Sequence, residues 1–337
     1  MASDREEAGG ISGRSGGDET SAEAALQLRR RGRPVEFVSG RARLRGRLFL
    51  PESATGRLPA AVVTGSWLSV KEQMPLAYAQ RLAARGFAAL TFDFRGFGES
   101  EGSPAGAERP ARKAEDIDAA ARFVRTLPEV DPERVALLGV CASAGYAARA
   151  AVDGAPVRAL ALVAPWLHDA TIVRQMYGGS DGVLVRLERA EAARALRQRT
   201  GEVTYVPAAS NTDPAAAMYA PGDLLDYYLN PARGAVPAWT NRFAVESWND
   251  WLRWDPIALA PAVPVPTIVV HSESAAIPEG ARRFAAALRV PHQLAWVRAQ
   301  SQFAFYDDPA TIDRALDRAT PFLSRTLAPA ATSAARA

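Results

Sequence analysis

Cysteine and histidine, the residues that most often carry metal and proton-transfer chemistry, are nearly missing: one cysteine and three histidines in 337 residues. A lone cysteine excludes an intramolecular disulfide and every multi-cysteine metal site. The histidines, His168, His271 and His292, leave few ways to build a proton relay. Lysine is scarce too; only Lys71 and Lys113 occur, so arginine supplies the rest of the 40 basic residues. The formal net charge of +3 is small for this length and argues against a nucleic-acid footprint. Long apolar runs are also lacking. The longest uncharged stretch, Pro256 to Ser272, is interrupted by Pro261, Pro264 and Pro266, whereas a membrane-spanning helix needs about 20 apolar residues. The first residues, Met1 to Glu7, are acidic where a secretory signal is basic. The expectation is a cytoplasmic protein with neither a membrane nor a nucleic acid as partner.

What is present is a chain with 48% apolar residues, enough to bury a large core. Residues 1–33 are rich in Gly, Ser, Glu and Arg and are expected to form a disordered tail. Within it, Arg29-Arg30-Arg31-Gly32-Arg33 reads as a solvated run without aromatic interleaving. Residues 328–337 are expected to form a flexible tail. Between the tails, strand and helix patterns alternate. Val35–Val38 and Ala42–Leu50 predict an antiparallel pair, and Ala60–Val63, Phe87–Phe92, Val135–Val140, Val157–Ala164, Thr267–His271 and Gln293–Val297 predict buried strands. Helices are expected over Lys71–Arg85, Ala111–Leu127, Ala144–Ala151, Glu279–Leu288 and Ala310–Thr326, with a turn at Asp131-Pro132-Glu133-Arg134. This rhythm predicts an α/β fold, a mostly parallel sheet covered on both faces with an antiparallel N-terminal edge. Residues 34–171 and 263–327 would form that core, and 172–262, where no buried parallel strand appears, a helical lid insertion. Its aromatic residues either form the insertion's own core or line an apolar pocket, with Tyr228 and Trp248 as candidates for the latter.

The most informative segment is Val135 to Gly145. An apolar strand runs through Gly139-Val140-Cys141-Ala142-Ser143-Ala144-Gly145 into a helix. Small residues flanking a nucleophile suit a strand that must reverse into a helix within one residue, which leaves the central side chain strained and exposed at the sheet top. Two registers fit. The apolar run ends at Gly139-Val140, which favours Cys141 at the tip over Ser143. A cysteine buried as a small hydrophobe is the structural alternative.

From about Val35 to Thr326 the chain resembles the α/β-hydrolase superfamily, in particular its dienelactone-hydrolase-like branch, whose nucleophile is cysteine. The matching pieces are the turn at Cys141, Thr64-Gly65-Ser66-Trp67 after the third strand, Asp93 to Ser100 after the fourth, Val269-Val270-His271-Ser272-Glu273, and Gln302-Phe303-Ala304-Phe305-Tyr306-Asp307. Lys71-Glu72-Gln73 and the long insertion look like YcjY-type or polyketide-transferase-like relatives. The resemblance implies an oxyanion hole made of the backbone N–H of Ala142 and that of Ser66 or Trp67.

The rest of the family triad is altered. Ala275 stands where the resemblance places an aspartate, leaving Glu273 as the carboxylate within reach, and Gln302 stands where it places the histidine. His292 begins the last strand, at the wrong end of the sheet. His271 suits a packing role. His168, with Asp169 beside it, follows the sixth strand at the active-site end and is a candidate to face the pocket. A serine without a base is inert near neutral pH, whereas a cysteine thiolate forms at far lower cost. The reading is therefore an enzyme acting on an ester, thioester or lactone through Cys141, by acyl transfer or slow hydrolysis, on a small apolar or aromatic acyl substrate. The alternative is a non-hydrolytic catalyst or a ligand-binding pseudoenzyme. Neither calls for a metal or organic cofactor, and self-association into a homodimer is compatible with both.

Overall fold

The computed structural model describes residues 32–53 and 55–329, so the two expected tails lie almost wholly outside the described residues. Gly32, Arg33, Ala328 and Pro329 are the exceptions, and Arg33 already belongs to a strand and pairs with Glu129 at 2.7 Å.

Eight strands form the main sheet. They are β1 (Arg33–Ser39), β2 (Ala42–Phe49), β3 (Leu58–Thr64), β4 (Ala88–Phe92), β5 (Val130–Val140), β6 (Ala159–Val163), β7 (Thr267–His271) and β8 (His292–Trp296). Their spatial order is β1-β2-β4-β3-β5-β6-β7-β8. β1 and β2 are antiparallel to their neighbours, and all the other pairs are parallel. The hairpin closes where Ser39 meets Ala42, and Gly40 supplies the φ of +59° that a tight turn needs. β4, β6 and β7 are buried at every position, as parallel strands covered on both faces must be.

The turn expected at residues 131–134 lies inside β5 instead. The register against β3 slips there, from Leu58 opposite Val130 to Ala60 opposite Val135. The Asp-Pro-Glu-Arg signal marks a bulge in one strand rather than its start, because pairing resumes on both sides of it.

The crossover helices are α1 (Met74–Ala84), α2 (Pro110–Val124), α3 (Ser143–Val152) and α6 (Pro278–Ala287); α4 (Ala170–Met176) and α5 (Gly179–Thr200) lie between β6 and β7, and α7 (Pro309–Thr326) follows β8. α1 packs on α7 and α2 on α3, giving the sheet two separate helix covers. The insertion is less helical than its sequence suggests. After α5 it carries short strand pairs, Tyr205–Pro207 with Arg242–Ala244 and Ala209–Ser210 with Met218–Tyr219, then short turns of helix such as Trp248–Leu252. Among the described residues no helix is long and apolar enough to cross a membrane.

Candidate active site

The chain leaves β5, turns at Cys141 and enters α3. Cys141 has a φ of +58°, a left-handed conformation that costs a side-chain-bearing residue about 1–3 kcal/mol and persists only where the surroundings impose it. They do so here through the backbone. The Cys141 N–H donates to the Val163 carbonyl at 3.0 Å, and the Cys141 carbonyl accepts from Ala144 and Trp166 at 3.1 and 3.0 Å. A Cβ at Gly139 would lie 2.5 Å from the Ser143 carbonyl oxygen, and one at Gly145 would lie 2.9 Å from Pro256 Cβ. Of the two registers, the strained tip belongs to Cys141. Ser143 is buried in the first turn of α3 with no partner for its hydroxyl.

Four donor groups act on the Cys141 thiol: the Tyr306 hydroxyl, the backbone N–H groups of Ala142 and Trp67, and the Gln302 amide, whose own two protons go to the Ala164 carbonyl and the Tyr306 hydroxyl. Each would stabilise a thiolate. Burial nevertheless dominates and pushes the thiol above its ordinary value, the four donors offsetting part of that rise. Burial also keeps Tyr306 and Tyr228 protonated, since both phenols sit well above their usual value. The site at rest is a neutral thiol among neutral donors.

Gln302 is fixed in a single sense. Its Oε1 accepts from the Ala276 backbone N–H at 3.0 Å, and its Nε2 donates to the Ala164 carbonyl at 2.9 Å and the Tyr306 hydroxyl at 3.2 Å. The Ala276 N–H can meet only an acceptor, so the amide orientation follows from its partners. The backbone at Ala275-Ala276 thus occupies the side of Gln302 where an orienting carboxylate would stand for a histidine.

The loop after β3 carries Ser66 and Trp67, the backbone donors expected beside Ala142. The Ser66 N–H points at Met74 Sδ, 3.4 Å away, and its hydroxyl is 2.6 Å from Tyr228 Oη, which leaves the Trp67 N–H as the loop donor at the sulfur. Gly65 permits that path, because a Cβ there would meet Pro75 Cγ and Ser69 Oγ at 2.6 Å. Beyond Trp67 the loop is anchored by buried polar groups. The Leu68 N–H, in a residue at φ +57°, donates to Glu108 Oε2 at 3.0 Å. Glu108 also accepts from Lys113 Nζ and Tyr146 Oη, each at 2.8 Å. Lys71 then ties the loop to the strand ends, its Nζ lying 2.7 Å from Asp93, Glu72 and Glu99. Burial works against that ammonium, but the three carboxylates outweigh it and hold it above its ordinary value. These three form the one acidic cluster with metal-ligand spacing among the described residues, and Lys71 already supplies its positive charge.

Cys141 opens onto a cavity of about 520 Å³ between the carboxyl ends of the strands and the insertion. Trp67, Tyr228, Trp251, Gln302, Tyr306 and Tyr177 contribute to its wall. Trp67 stacks on Trp251, their ring centres 4.8 Å apart.

Several expected residues stand elsewhere. Glu273 is exposed and paired with Arg282, so the structure removes it from the site. Ser66 serves through its hydroxyl contact to Tyr228 rather than through its N–H. Trp248 is not part of the cavity wall; it packs behind it on Trp67, Phe243 and Tyr177. His168 is buried with both ring nitrogens engaged, Nδ1 accepting from Trp166 Nε1 at 3.1 Å and Nε2 donating to the Trp251 carbonyl at 3.3 Å. Burial lowers it to about 4, so it is neutral and committed. Asp169 does not orient it, for that carboxylate caps α4 and pairs with Arg283 at 2.5 Å. His271 is buried at the end of β7, 3.0 Å from the Ala276 carbonyl, and His292 is exposed at the start of β8. Tyr306 and Glu108 are the participants that sequence reasoning missed. Tyr306 belongs to the C-terminal motif and lies one helical turn after Gln302, a spacing that would have placed both on one face.

Residues 58–328 match the family model described as "Alpha/beta hydrolase family". The uncharacterized protein PA2218 of Pseudomonas aeruginosa is 33% identical over 276 residues, which cover 77% of this chain and 71% of that protein. Its crystal structure matches with a TM-score of 0.76 over 87% of this chain and 93% of that one, at 28% identity. The polyketide transferase claH of Penicillium crustosum is 26% identical over 275 residues, 77% of this chain and 86% of that one. The thiohydrolase aneE of Aspergillus aculeatus is 37% identical over 175 residues, 51% of this chain and 54% of that one.

Proposed function

This chain belongs to the alpha/beta hydrolase family, and on that premise we propose that it is an acyl-transfer enzyme that takes an acyl group from a thioester or activated ester onto Cys141 and passes it to an acceptor. The observation that carries this reading is Cys141 at the left-handed turn between β5 and α3, opening onto the cavity beside the Gln302 amide and the Tyr306 hydroxyl, with no base among these neighbours.

In the first step the Cys141 sulfur attacks the acyl carbonyl. A carbon–sulfur bond to the enzyme forms, and the bond to the leaving thiol breaks. The proton of Cys141 ends on the leaving sulfur, so no net charge is created and no separate base is consumed. Negative charge on the carbonyl oxygen is met by the Trp67 and Ala142 N–H groups, and removing one such donor typically costs about 10²–10³ in rate. Tyr306 and Gln302 stabilise the thiolate as it forms.

The second step decides between transfer and hydrolysis. Water must lose a proton to attack, and neither Gln302 nor any neutral phenol here accepts one at neutral pH. An acceptor thiol carries its own solution to this problem, because its proton returns to the Cys141 sulfur as the acyl group leaves. Transfer to a thiol, or to a free amine, is therefore faster than hydrolysis. The names thiohydrolase and polyketide transferase borne by relatives support thioesters as the substrate class.

The reading is tested by intact-protein mass spectrometry after mixing with N-acetylcysteamine thioesters. A mass increase equal to the acyl group, absent in Cys141→Ala, is expected; the same adduct on the variant, or none on either protein, refutes it. A second reading, a binding protein without turnover, draws on the raised Cys141 thiol and on Gln302 in the base position. It predicts that thioesters bind without any adduct.

A further inference from the structure

The wall of the Cys141 cavity is apolar or aromatic apart from a few hydroxyls and amides, and Arg186 is the charged residue among its described lining. Arg186 projects from α5, in the insertion. Its Nη1 donates to the carbonyls of Tyr177 and Gly182 at 3.0 and 2.9 Å, which fixes one edge of the guanidinium. The plane is held over two rings, with Cζ 5.4 Å from the centres of both Tyr177 and Trp248. A guanidinium has five N–H donors, so these contacts leave most of its capacity unused.

The half-buried Arg186 has no acid partner among the described residues. Arg95, Arg233 and Arg283 each pair with carboxylates, which raise them. Arg186 moves in the opposite direction: burial lowers it, Tyr177 opposes that weakly, and Arg189 adds to it. Tyr177 lines the same cavity, within electrostatic reach of both the guanidinium and the Cys141 sulfur. A positive charge fixed against two aromatic faces, partly desolvated and unpaired, in the wall of a substrate cavity, lacks only the anion that would balance it.

We infer that Arg186 forms an anion subsite and that the substrate is an acyl compound bearing a carboxylate or phosphate group, held by that guanidinium while its carbonyl meets Cys141. This rests on the acyl-transfer reading above. It names one feature of the substrate that the rest of the wall does not supply. The negative group has two chemical sources, a carboxylate at the far end of the acyl chain or a phosphate on the leaving thiol.

Two experiments separate the inference from the reading it rests on. Isothermal titration of Cys141→Ala with glutarate, adipate, suberate and phosphopantetheine, each against the uncharged amide or dephosphorylated analogue, measures the subsite without chemistry. At least one anion should bind ten- to a hundredfold tighter than its neutral analogue. That preference should fall at least tenfold in Cys141→Ala/Arg186→Gln and recover in large part in Cys141→Ala/Arg186→Lys. Cys141 acylation by ω-carboxyacyl N-acetylcysteamine thioesters and by acyl-phosphopantetheine, each against its neutral counterpart, then tells which source is used. Equal binding of charged and neutral ligands, or a preference that survives Arg186→Gln, overturns the subsite. A preference in titration with no thioester labelling Cys141 keeps the subsite and sinks acyl transfer; labelling without any charge preference does the reverse.

Discussion

Replacing Tyr306 with phenylalanine removes the hydroxyl that most favours the Cys141 thiolate while leaving the ring in its packing against Tyr227, Tyr228 and Phe303. A hydrogen bond to a charged group contributes about 1.5–3 kcal/mol, and 1.4 kcal/mol is a factor of ten in an equilibrium. The thiolate fraction at a fixed pH should therefore fall about ten- to a hundredfold. Compensation pulls the effect toward the lower end. The Gln302 Nε2, which donates to Tyr306 Oη at 3.2 Å, loses that acceptor and can turn its N–H fully to the sulfur. The expected loss is thus about tenfold in the iodoacetamide alkylation rate at pH 8, with the alkylation pH profile displaced upward. Near-ultraviolet circular dichroism would show that the aromatic packing is intact. An unchanged profile, or one displaced downward, would show that Tyr306 does not stabilise the thiolate and would remove it from the proposed site.

Cys141→Ser should lose at least 10³-fold in acyl-adduct formation with thioesters while binding them normally, because a hydroxyl at this position has no base to deprotonate it; activity near that of the wild type would show that the site holds a base. Gln302→His alone should give little hydrolysis, since its ring N–H would face the Ala276 N–H without an acceptor, whereas Gln302→His with Ala275→Asp should gain at least a hundredfold over the single variant in ester hydrolysis, the kind of loss seen when an orienting acid is removed being about 10⁴. Lys71→Met should cost about 3–5 kcal/mol in urea unfolding, because Asp93 would be left as an uncompensated buried carboxylate. His271 is lowered by burial to about 4, against about 6.5 when unfolded, so in that window the unfolded chain binds the extra proton and stability falls with pH. Between pH 6.5 and pH 5 the wild type should lose about 1.5 kcal/mol more than His271→Gln, read from urea midpoints; equal losses would place the destabilising proton elsewhere.

The strand–helix alternation, the sheet's antiparallel edge and the elbow at Cys141 were legible because each leaves a local signature. Fully apolar runs, a Gly stop, and small residues around one nucleophile are dictated by neighbours in the chain. What escaped were groups defined by contacts between distant segments. Nothing in the sequence around Glu108 announces burial, yet it is buried because Lys113, Tyr146 and the Leu68 N–H meet it. By position, Glu273 is the carboxylate within reach and Gln302 stands in the histidine's place. The fold sends one to Arg282 at the surface and the other to the cavity wall that Cys141 shares. His168 illustrates the same point, since nothing local announces that Trp166 and the Trp251 carbonyl will occupy both of its nitrogens. The insertion was legible as an interruption, but its short strand pairs are too brief to leave a period.

The central claim is that Cys141 carries an acyl group in a site lacking a base for water. Its most direct test is the lifetime of the isolated acyl-enzyme. After a thioester pulse and rapid desalting, the acyl mass on Cys141 should persist in buffer at pH 7.5 and clear at least a hundredfold faster when N-acetylcysteamine or another thiol acceptor is added. An adduct that disappears within the dead time in buffer alone, at a rate the acceptor does not change, would contradict the account and show an ordinary hydrolase.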